Sequence, residues 1–300
     1  MCEKIHGRPE ELNEECKMTK NNIILTLTLL LFVNSGVSAE KKQASLQSNP
    51  LTIGEQLAFH SAILNEKRLI NVYLPPTYSQ KKEKAFPVIY LLDGSLDEDM
   101  IHISGLVQFG SFSWIKMLPE SIVVGIGNVD RKRDFTFPTK NEKDKAEFPT
   151  TGGSAQFFKF ISNELQPLVD SRYRTNGSRM LIGQSLGGLL ATEILFRQPS
   201  LFSHYVIVSP SLWWDDESLL ANPIVKNISD KGVFIAVGEE GPTMVRTAKK
   251  LYKKLESNKS KPNRLGFKYL PEQSHGDALH LAVYAAFEEL FRSQSGTVNQ

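Results

Sequence analysis

Apolar residues along this chain fall into short runs separated by amphipathic stretches. The runs at 57–63, 68–74, 87–92, 121–127, 179–183, 204–209, 232–237 and 265–270 predict strands. The later runs are continuous rather than alternating, as expected of parallel strands covered on both faces. Between them, helical spacing predicts helices near 154–169, 186–198, 243–257 and 277–293. Alternation on this scale predicts an α/β sheet. The first two runs, joined by Asn65-Glu66-Lys67, predict an antiparallel hairpin at the sheet edge. With no repeat, low-complexity stretch or internal linker, one domain is expected over 51–294, preceded by a polar tether at 40–50.

The N-terminus follows a different pattern. Residues 23–33 are a short apolar run, preceded by Lys17 and Lys20 and followed by small residues up to Val37-Ser38-Ala39. A basic start, a short apolar middle and a small-x-small exit predict a signal peptide cleaved after Ala39. The run falls short of the roughly 20 apolar residues of a membrane span, so no stable membrane insertion is expected after cleavage. Signal peptides begin at the chain start. The polar residues 1–17 are therefore expected to be a non-native upstream extension, with Met18 opening a signal peptide at 18–39. The expected compartment is periplasmic or secreted.

Composition narrows the classes. Thirty-five Lys and Arg against thirty-three Asp and Glu give a formal charge of +2. Without a concentrated basic stripe, a nucleic-acid partner is not expected. Both cysteines, Cys2 and Cys16, precede the expected cleavage site, leaving no disulfide framework or thiolate metal site in the mature chain. Nothing calls for a metal or organic cofactor, and the oligomeric state is not legible.

The candidate chemistry centres on Gly183-Gln-Ser185-Leu-Gly187, placed after an apolar strand and before the pattern Gly188-Leu-Leu-Ala-Thr-Glu-Ile-Leu195. Strand, Gly-x-Ser-x-Gly and helix are the context of a nucleophile elbow in an α/β-hydrolase fold, a mostly parallel central sheet flanked by helices. Such a turn lifts the Ser185 hydroxyl above the sheet and points the Leu186 N–H where an oxyanion would form. Gly183 and Gly187 are expected because a Cβ at either place would clash. The positive end of the following helix adds to the field.

A serine hydroxyl needs a base to take its proton. In this fold the acid follows the serine and the histidine comes last. Of six histidines, His6 is removed with the leader, and His60, His102 and His204 lie in the wrong region or order. His275 sits in a loop between strand 265–270 and the last helix, whereas His280 lies inside that helix, so His275 is the candidate base. The acid is expected after strand 232–237, at Glu239 or Glu240, with Glu240 preferred; a Ser–His pair without an acid stays open. Asp215 and Asp216 come earlier and fit less well. A second oxyanion donor is expected from the loop Leu92-Asp93-Gly94-Ser95, at Gly94 or Ser95, although a plain turn would read the same way.

With these residues placed, the chain resembles an esterase family of α/β-hydrolases. That family includes enterobactin-type trilactone siderophore esterases, S-formylglutathione hydrolases and mycolyl transferases. The resemblance spans about 55 to 292 and is carried by Val88–Gly94, Arg133–Thr139, Thr151–Gly153, Gly183–Gly188 and Ser209-Pro-Ser-Leu-Trp-Trp214. It is nearest the branch related to the siderophore esterases. It implies a serine carboxylesterase acting on a small-molecule ester, with Ser185 as nucleophile, His275 as base, and Gly94 and Leu186 as oxyanion donors. Relatives commonly carry an acidic residue where Gly241 stands, which leaves the acid open.

Specificity residues are expected near the same edge. Arg131, Lys132 and Arg133 follow strand 121–127, and Arg133 is the candidate for an anionic or catecholate part of the substrate; a structural ion pair is the alternative. Trp213 and Trp214 are candidates for the wall of an aromatic pocket, or else core anchors. Two other classes stay open: a catalytically silent ligand-binding protein of this fold, and an acyltransferase. The leader reading makes a direct prediction. N-terminal sequencing of the native protein should begin at Glu40, and a peptide from 3–17 would refute the Met18 start.

Overall fold

The computed structural model describes residues 46–224 and 226–291. The expected upstream extension, the signal peptide and most of the tether lie outside the described residues, as do 292–294. The strands are β1 (Gly54–Ser61), β2 (Glu66–Tyr73), β3 (Phe86–Leu91), β4 (Ile122–Ile126), β5 (Thr175–Gln184), β6 (His204–Val208), β7 (Gly232–Gly238) and β8 (Arg264–Leu270). They form one sheet in the order β1-β2-β4-β3-β5-β6-β7-β8. β1 and β2 are antiparallel to their neighbours, and β4 through β8 run parallel. The sheet is thus a mostly parallel α/β-hydrolase sheet with a hairpin at one edge. The hairpin turn falls earlier than the sequence predicts. Glu66 and Lys67 pair with Ser61 and His60, and the chain reverses at 62–65 with Asn65 at φ 52°.

The helices are α1 (Met100–Gly110), α2 (Arg131–Phe135), α3 (Glu142–Glu147), α4 (Ser154–Phe160), α5 (Gln166–Arg172), α6 (Leu186–Arg197), α7 (Trp214–Ala221), α8 (Gly241–Glu256) and α9 (Ala278–Phe291). A π-helical turn, Ile161–Leu165, joins α4 to α5. Pro167 is the second residue of α5, and it has no N–H to continue an ordinary helical ladder. α1 was not predicted. Its buried Met100, Ile103, Val107 and Gly110 have helical spacing, but Gly105 and the lack of any side-chain cap mask the signal.

Strand periodicity divides the core into two faces. Val88, Tyr90, Leu181, Tyr205, Ile207, Val233 and Ile235 pack beneath α4 to α6 and α8. Their alternates Ile89, Leu91, Met180, Ile182, Val206, Phe234 and Ala236 pack against α1 and α9. Each Val, Leu, Ile, Met or Phe among these, fully buried, contributes about 1.5–3 kcal/mol of transfer free energy. α8 shows how sequence chooses the face. Thr247, Ala248, Leu251 and Leu255 are buried, while Lys253 and Lys254 complement the helix's negative end.

One charged network joins the hairpin to the helices. Arg68 is 0% exposed, and its Nη1 pairs with Asp134 Oδ2 and Glu66 Oε1, both at 2.8 Å. Its Nη2 donates to Gly127 O at 3.0 Å, and its guanidinium lies 5.3 Å from the Phe157 ring. Removing one partner of a buried pair leaves an uncompensated charge, so this cluster is expected to be intolerant of single deletions.

Glu193 is a further buried charge, 1% exposed. It lies on the concealed face of α6, with Arg197 Nε 3.0 Å away. Burial pushes its carboxyl up to about 7, and the Arg197 charge offsets only part of that. Between the ordinary carboxylate value and about 7, the folded protein holds a proton that the unfolded chain has lost. Stability therefore falls as pH rises through that window. Glu193→Gln should remove this dependence. Urea unfolding should show a gain on the order of 2 kcal/mol at pH 8 and little change at pH 4.5.

Candidate active site

The parallel strands all deliver their C-terminal ends to one edge, where ligands bind in open α/β sheets. The candidate residues follow the strand ends, after β3 (Asp93, Gly94), β4 (Arg131), β5 (Ser185), β6 (Ser209, Ser211), β7 (Glu240) and β8 (His275).

Ser185 joins β5 directly to α6 with φ 60° and ψ −120°. That backbone region costs an L-residue of order 1–3 kcal/mol, so the surroundings must impose it. Ser185 N donates to Val208 O at 3.1 Å, and Ser185 O accepts from Ser211 N and Leu189 N, both at 3.0 Å. The glycines serve unequally. A Cβ on Gly183 would stand 2.4 Å from Gly187 O, and one on Gly188 would stand 2.9 Å from Val208 O. A Cβ on Gly187 would meet nothing closer than 3.4 Å, an ordinary contact. The expectation of a clash at Gly187 is therefore corrected: Gly183 and Gly188 carry the steric requirement.

His275 reaches this turn through two tethers. Gln184 Nε2 donates to His275 O at 2.5 Å, fastening the histidine loop to the residue before Ser185. Gln273 O accepts from Glu239 N at 2.7 Å, fastening the same loop to the end of β7. His275 Nδ1 then lies 2.5 Å from Glu240 Oε2, which leaves Nε2 as the ring nitrogen for proton exchange. Glu240 Oε1 accepts from Gly238 N at 3.0 Å and from Ser209 Oγ. Burial alone would raise the Glu240 carboxyl. The hydrogen bonds from His275, Ser209 and Gly238 outweigh it and hold the group below its usual range. Glu239 points elsewhere and accepts from Tyr269 Oη on the exposed surface. Of the two adjacent carboxylates, only Glu240 is brought to the histidine. His280 instead stacks on His102, with ring centroids 5.0 Å apart.

The oxyanion donors need one change. Leu186 is the first residue of α6, so its N–H has no partner within the helix. Gly94 does not offer its N–H, which donates to Ile126 O at 3.0 Å, while its carbonyl accepts from Asn71 Nδ2 at 2.8 Å. Its small size serves packing, because a Cβ there would lie 2.3 Å from Gly125 Cα. Ser95 N is also engaged, by Glu98 Oε2 at 3.2 Å. Within Leu92-Asp93-Gly94-Ser95, the N–H without an acceptor among the described residues belongs to Asp93, one position earlier.

Two substrate-contact expectations meet structural demands instead. Arg133 spends its donors on carboxylates, with Nε to Asp134 Oδ1 at 2.8 Å and Nη2 to Glu66 Oε1 at 2.7 Å. It belongs to the Arg68 network. Trp214 is 0% exposed and donates from Nε1 to Phe137 O at 2.9 Å, which makes it a core anchor and not a pocket wall. Trp213 is half-buried against Phe148 and Trp214. Asp215 and Asp216 stand in a left-handed turn with Glu217, at φ 50°, 53° and 61°. Asp215 accepts from Lys140 N at 2.6 Å and Thr139 Oγ1 at 2.9 Å, and Asp216 accepts from Asn141 Nδ2 at 2.8 Å.

Ser209, Ser211 and Gln184 are site residues that reading for triad chemistry passes over. Ser209 holds the acid, Gln184 holds the histidine loop, and Ser211 Oγ stands 3.3 Å from Ser185 Oγ. The signal for the two serines was the Ser209-Pro-Ser-Leu-Trp-Trp214 segment itself, and that for Gln184 was its place inside Gly183-Gln-Ser185.

Known proteins are similar to this chain over most of their length. The ferri-bacillibactin esterase BesA of Bacillus subtilis (strain 168) is 28% identical over 263 residues, covering 80% of this chain and 90% of the relative. The crystal structure of an IroE-like serine hydrolase from Shewanella oneidensis superposes with a TM-score of 0.70 at 30% identity, covering 80% of each chain. That of the BES protein from Bacillus cereus gives 0.68 at 27% identity, covering 82% of this chain and 97% of the other. Residues 61–292 match the family described as "Putative esterase", and the chain belongs to that family.

Proposed function

We propose that this protein is a secreted or periplasmic serine carboxylesterase that opens the ester bonds of siderophore trilactones through an acyl-enzyme on Ser185. The carrying observation is the 2.5 Å contact between His275 Nδ1 and Glu240, in a loop that Gln184 ties to the nucleophile turn. In this reading His275 Nε2 takes the Ser185 proton as Oγ attacks the ester carbonyl carbon. Glu240 keeps the imidazole in the tautomer with Nδ1 protonated and stabilises the imidazolium that forms. The carbonyl electrons move onto oxygen, which faces the N–H groups of Leu186 and Asp93 at the positive end of α6. Collapse of the tetrahedral species breaks the ester C–O bond, and His275 returns the proton to the departing alkoxide. Water then repeats the sequence and frees the acid and Ser185.

The substrate class is supported by the Bacillus subtilis relative, which is named for a ferri-siderophore ester. A groove of about 330 Å³ adjoins the β3 loop, lined in part by Leu69, Ser95, Leu96, Asn128 and Val129. Leu96 and Val129 are both more than half exposed there, which suits the apolar framework of a large ester. Among the described residues, no helix is long and apolar enough to cross a membrane.

Labelling of the protein with a fluorophosphonate should modify Ser185, and mass analysis should show opening of a cyclic catecholate trilactone. An unmodified Ser185 with no ester turnover would favour a silent binder, and product carrying an added alcohol would favour a transferase. Within the active enzyme, Glu240→Gln should lower kcat on the order of 10³-fold. Glu239→Gln should leave it near wild type. The reverse ranking in steady-state assays would reject Glu240 as the acid.

A further inference from the structure

Arg131, which opens α2, bridges the loop after β3 and the turn before α6. Its Nε donates to Asp93 Oδ1 at 2.6 Å and its Nη2 to Asp93 Oδ2 at 2.9 Å, a two-pronged ion pair. The same Nη2 reaches the carbonyl oxygen of Gln184 at 3.3 Å, immediately before Ser185. One planar cation therefore spans the loop after β3 and the turn after β5. These are the two segments whose N–H groups face the developing negative charge.

The surroundings indicate why a fixed cation is needed. Asp93 is 9% exposed and left-handed, with φ 54°, so its backbone direction is imposed rather than intrinsic. Its Oδ2 lies 3.4 Å from where a Cβ on Gly187 would stand, directly at the start of α6. Asn128 Nδ2 supplies one further hydrogen bond to Oδ1, at 2.7 Å. Glu98 and Asp99 follow in the same loop. The Asp99 carboxyl is pushed up to about 6, first by its own burial and then by the charges of Asp93 and Glu98. Unpaired, the Asp93 carboxylate would be a buried anion beside the place where an oxyanion forms, which opposes that charge directly. Arg131 is itself constrained. It opens α2, next to the capping residue Asp130, and its guanidinium lies 5.4 Å from the Phe135 ring centroid.

Building on the esterase reading above, we infer that Arg131 is a positioning residue for the oxyanion pocket: it clamps Asp93 and the Gln184 carbonyl in one arrangement. In that arrangement the Asp93 and Leu186 N–H groups converge, and the Asp93 charge is neutralised. The effect is independent of what the ester carries, because the clamp acts on the pocket and not on the substrate's distant groups. This separates it from an arginine that binds an anionic substrate directly. A misplaced donor pair costs turnover more than binding, because the oxyanion exists only near the transition state.

The test uses the full chain and p-nitrophenyl acetate, a small uncharged ester, beside a catecholate trilactone. Wild-type turnover and fluorophosphonate labelling of Ser185 establish the esterase reading before any variant is judged. Arg131→Ala should lower kcat on the small ester on the order of 10²-fold, with KM little changed. Methylguanidinium should restore part of that rate, and Arg131→Lys, which keeps charge without the fork, should restore less than the added guanidinium does. Arg131→Ala combined with Asp93→Asn should lose no more than Arg131→Ala alone, since both act through one contact. The inference is overturned if Arg131→Ala keeps kcat on the small ester and only raises KM for the catecholate substrate. It is equally overturned if the loss is additive with Asp93→Asn and insensitive to methylguanidinium, as a general loss of folding would be.

Discussion

The structure turns on a backbone conformation that Ser185 would not adopt on its own. Between the end of β5 and the first turn of α6 there is no spacer, and the chain reverses direction in one residue at φ 60° and ψ −120°. The cost of that conformation is met by three backbone hydrogen bonds and by glycines at 183 and 188, where any side chain would strike backbone. Almost every helix position behind it is buried, so α6 cannot shift to relax the turn. The Ser185 hydroxyl is thus presented by the rigid core and not by a loop. A hydroxyl held this way loses little freedom when it reacts.

Around that fixed point the remaining groups arrive on loops that are bound to one another. β7 and β8 are neighbours, so the loops that follow them meet, and Glu239 N to Gln273 O joins them. Gln184 then joins the histidine loop to the elbow. On the other side, Arg131 joins the loops after β3 and β4 to the same elbow. The cross-links make a continuous rim that converts strand order into side-chain geometry. The Arg68 cluster performs the matching task at the sheet edge, holding the hairpin to α2 with a buried guanidinium. It also absorbs Arg133, and Lys132 lies over the Phe148 ring, so of this basic run Arg131 reaches Asp93.

What the sequence determined by itself follows from local rules. Period-two and continuous apolar runs located all eight strands, and the chain order of Ser185, an acid and His275 matched the α/β-hydrolase fold. The four long helical patterns were also legible, because each has a broad apolar face. α1 was missed because its face is interrupted by Gly105 and its start is uncapped. Those readings depend on neighbours within a few residues, so one dimension suffices.

Tertiary structure alone decided which of two adjacent carboxylates meets the histidine and which N–H in the β3 loop is free. It also decided that Trp214 and Arg133 serve the core. Glu240 and His275 are 35 residues apart, Arg131 and Asp93 are 38 apart, and Arg68 and Asp134 are 66 apart. Consecutive residues in a loop differ in direction by the local backbone turn, which composition does not encode. Glu239 and Glu240 are chemically alike, and only the hydrogen bonds from Gly238 N–H and Ser209 turn the second one inward. Gly94 carries the same lesson: its missing side chain suggested an open donor, but the neighbouring strand β4 takes up its N–H and leaves no room for a Cβ.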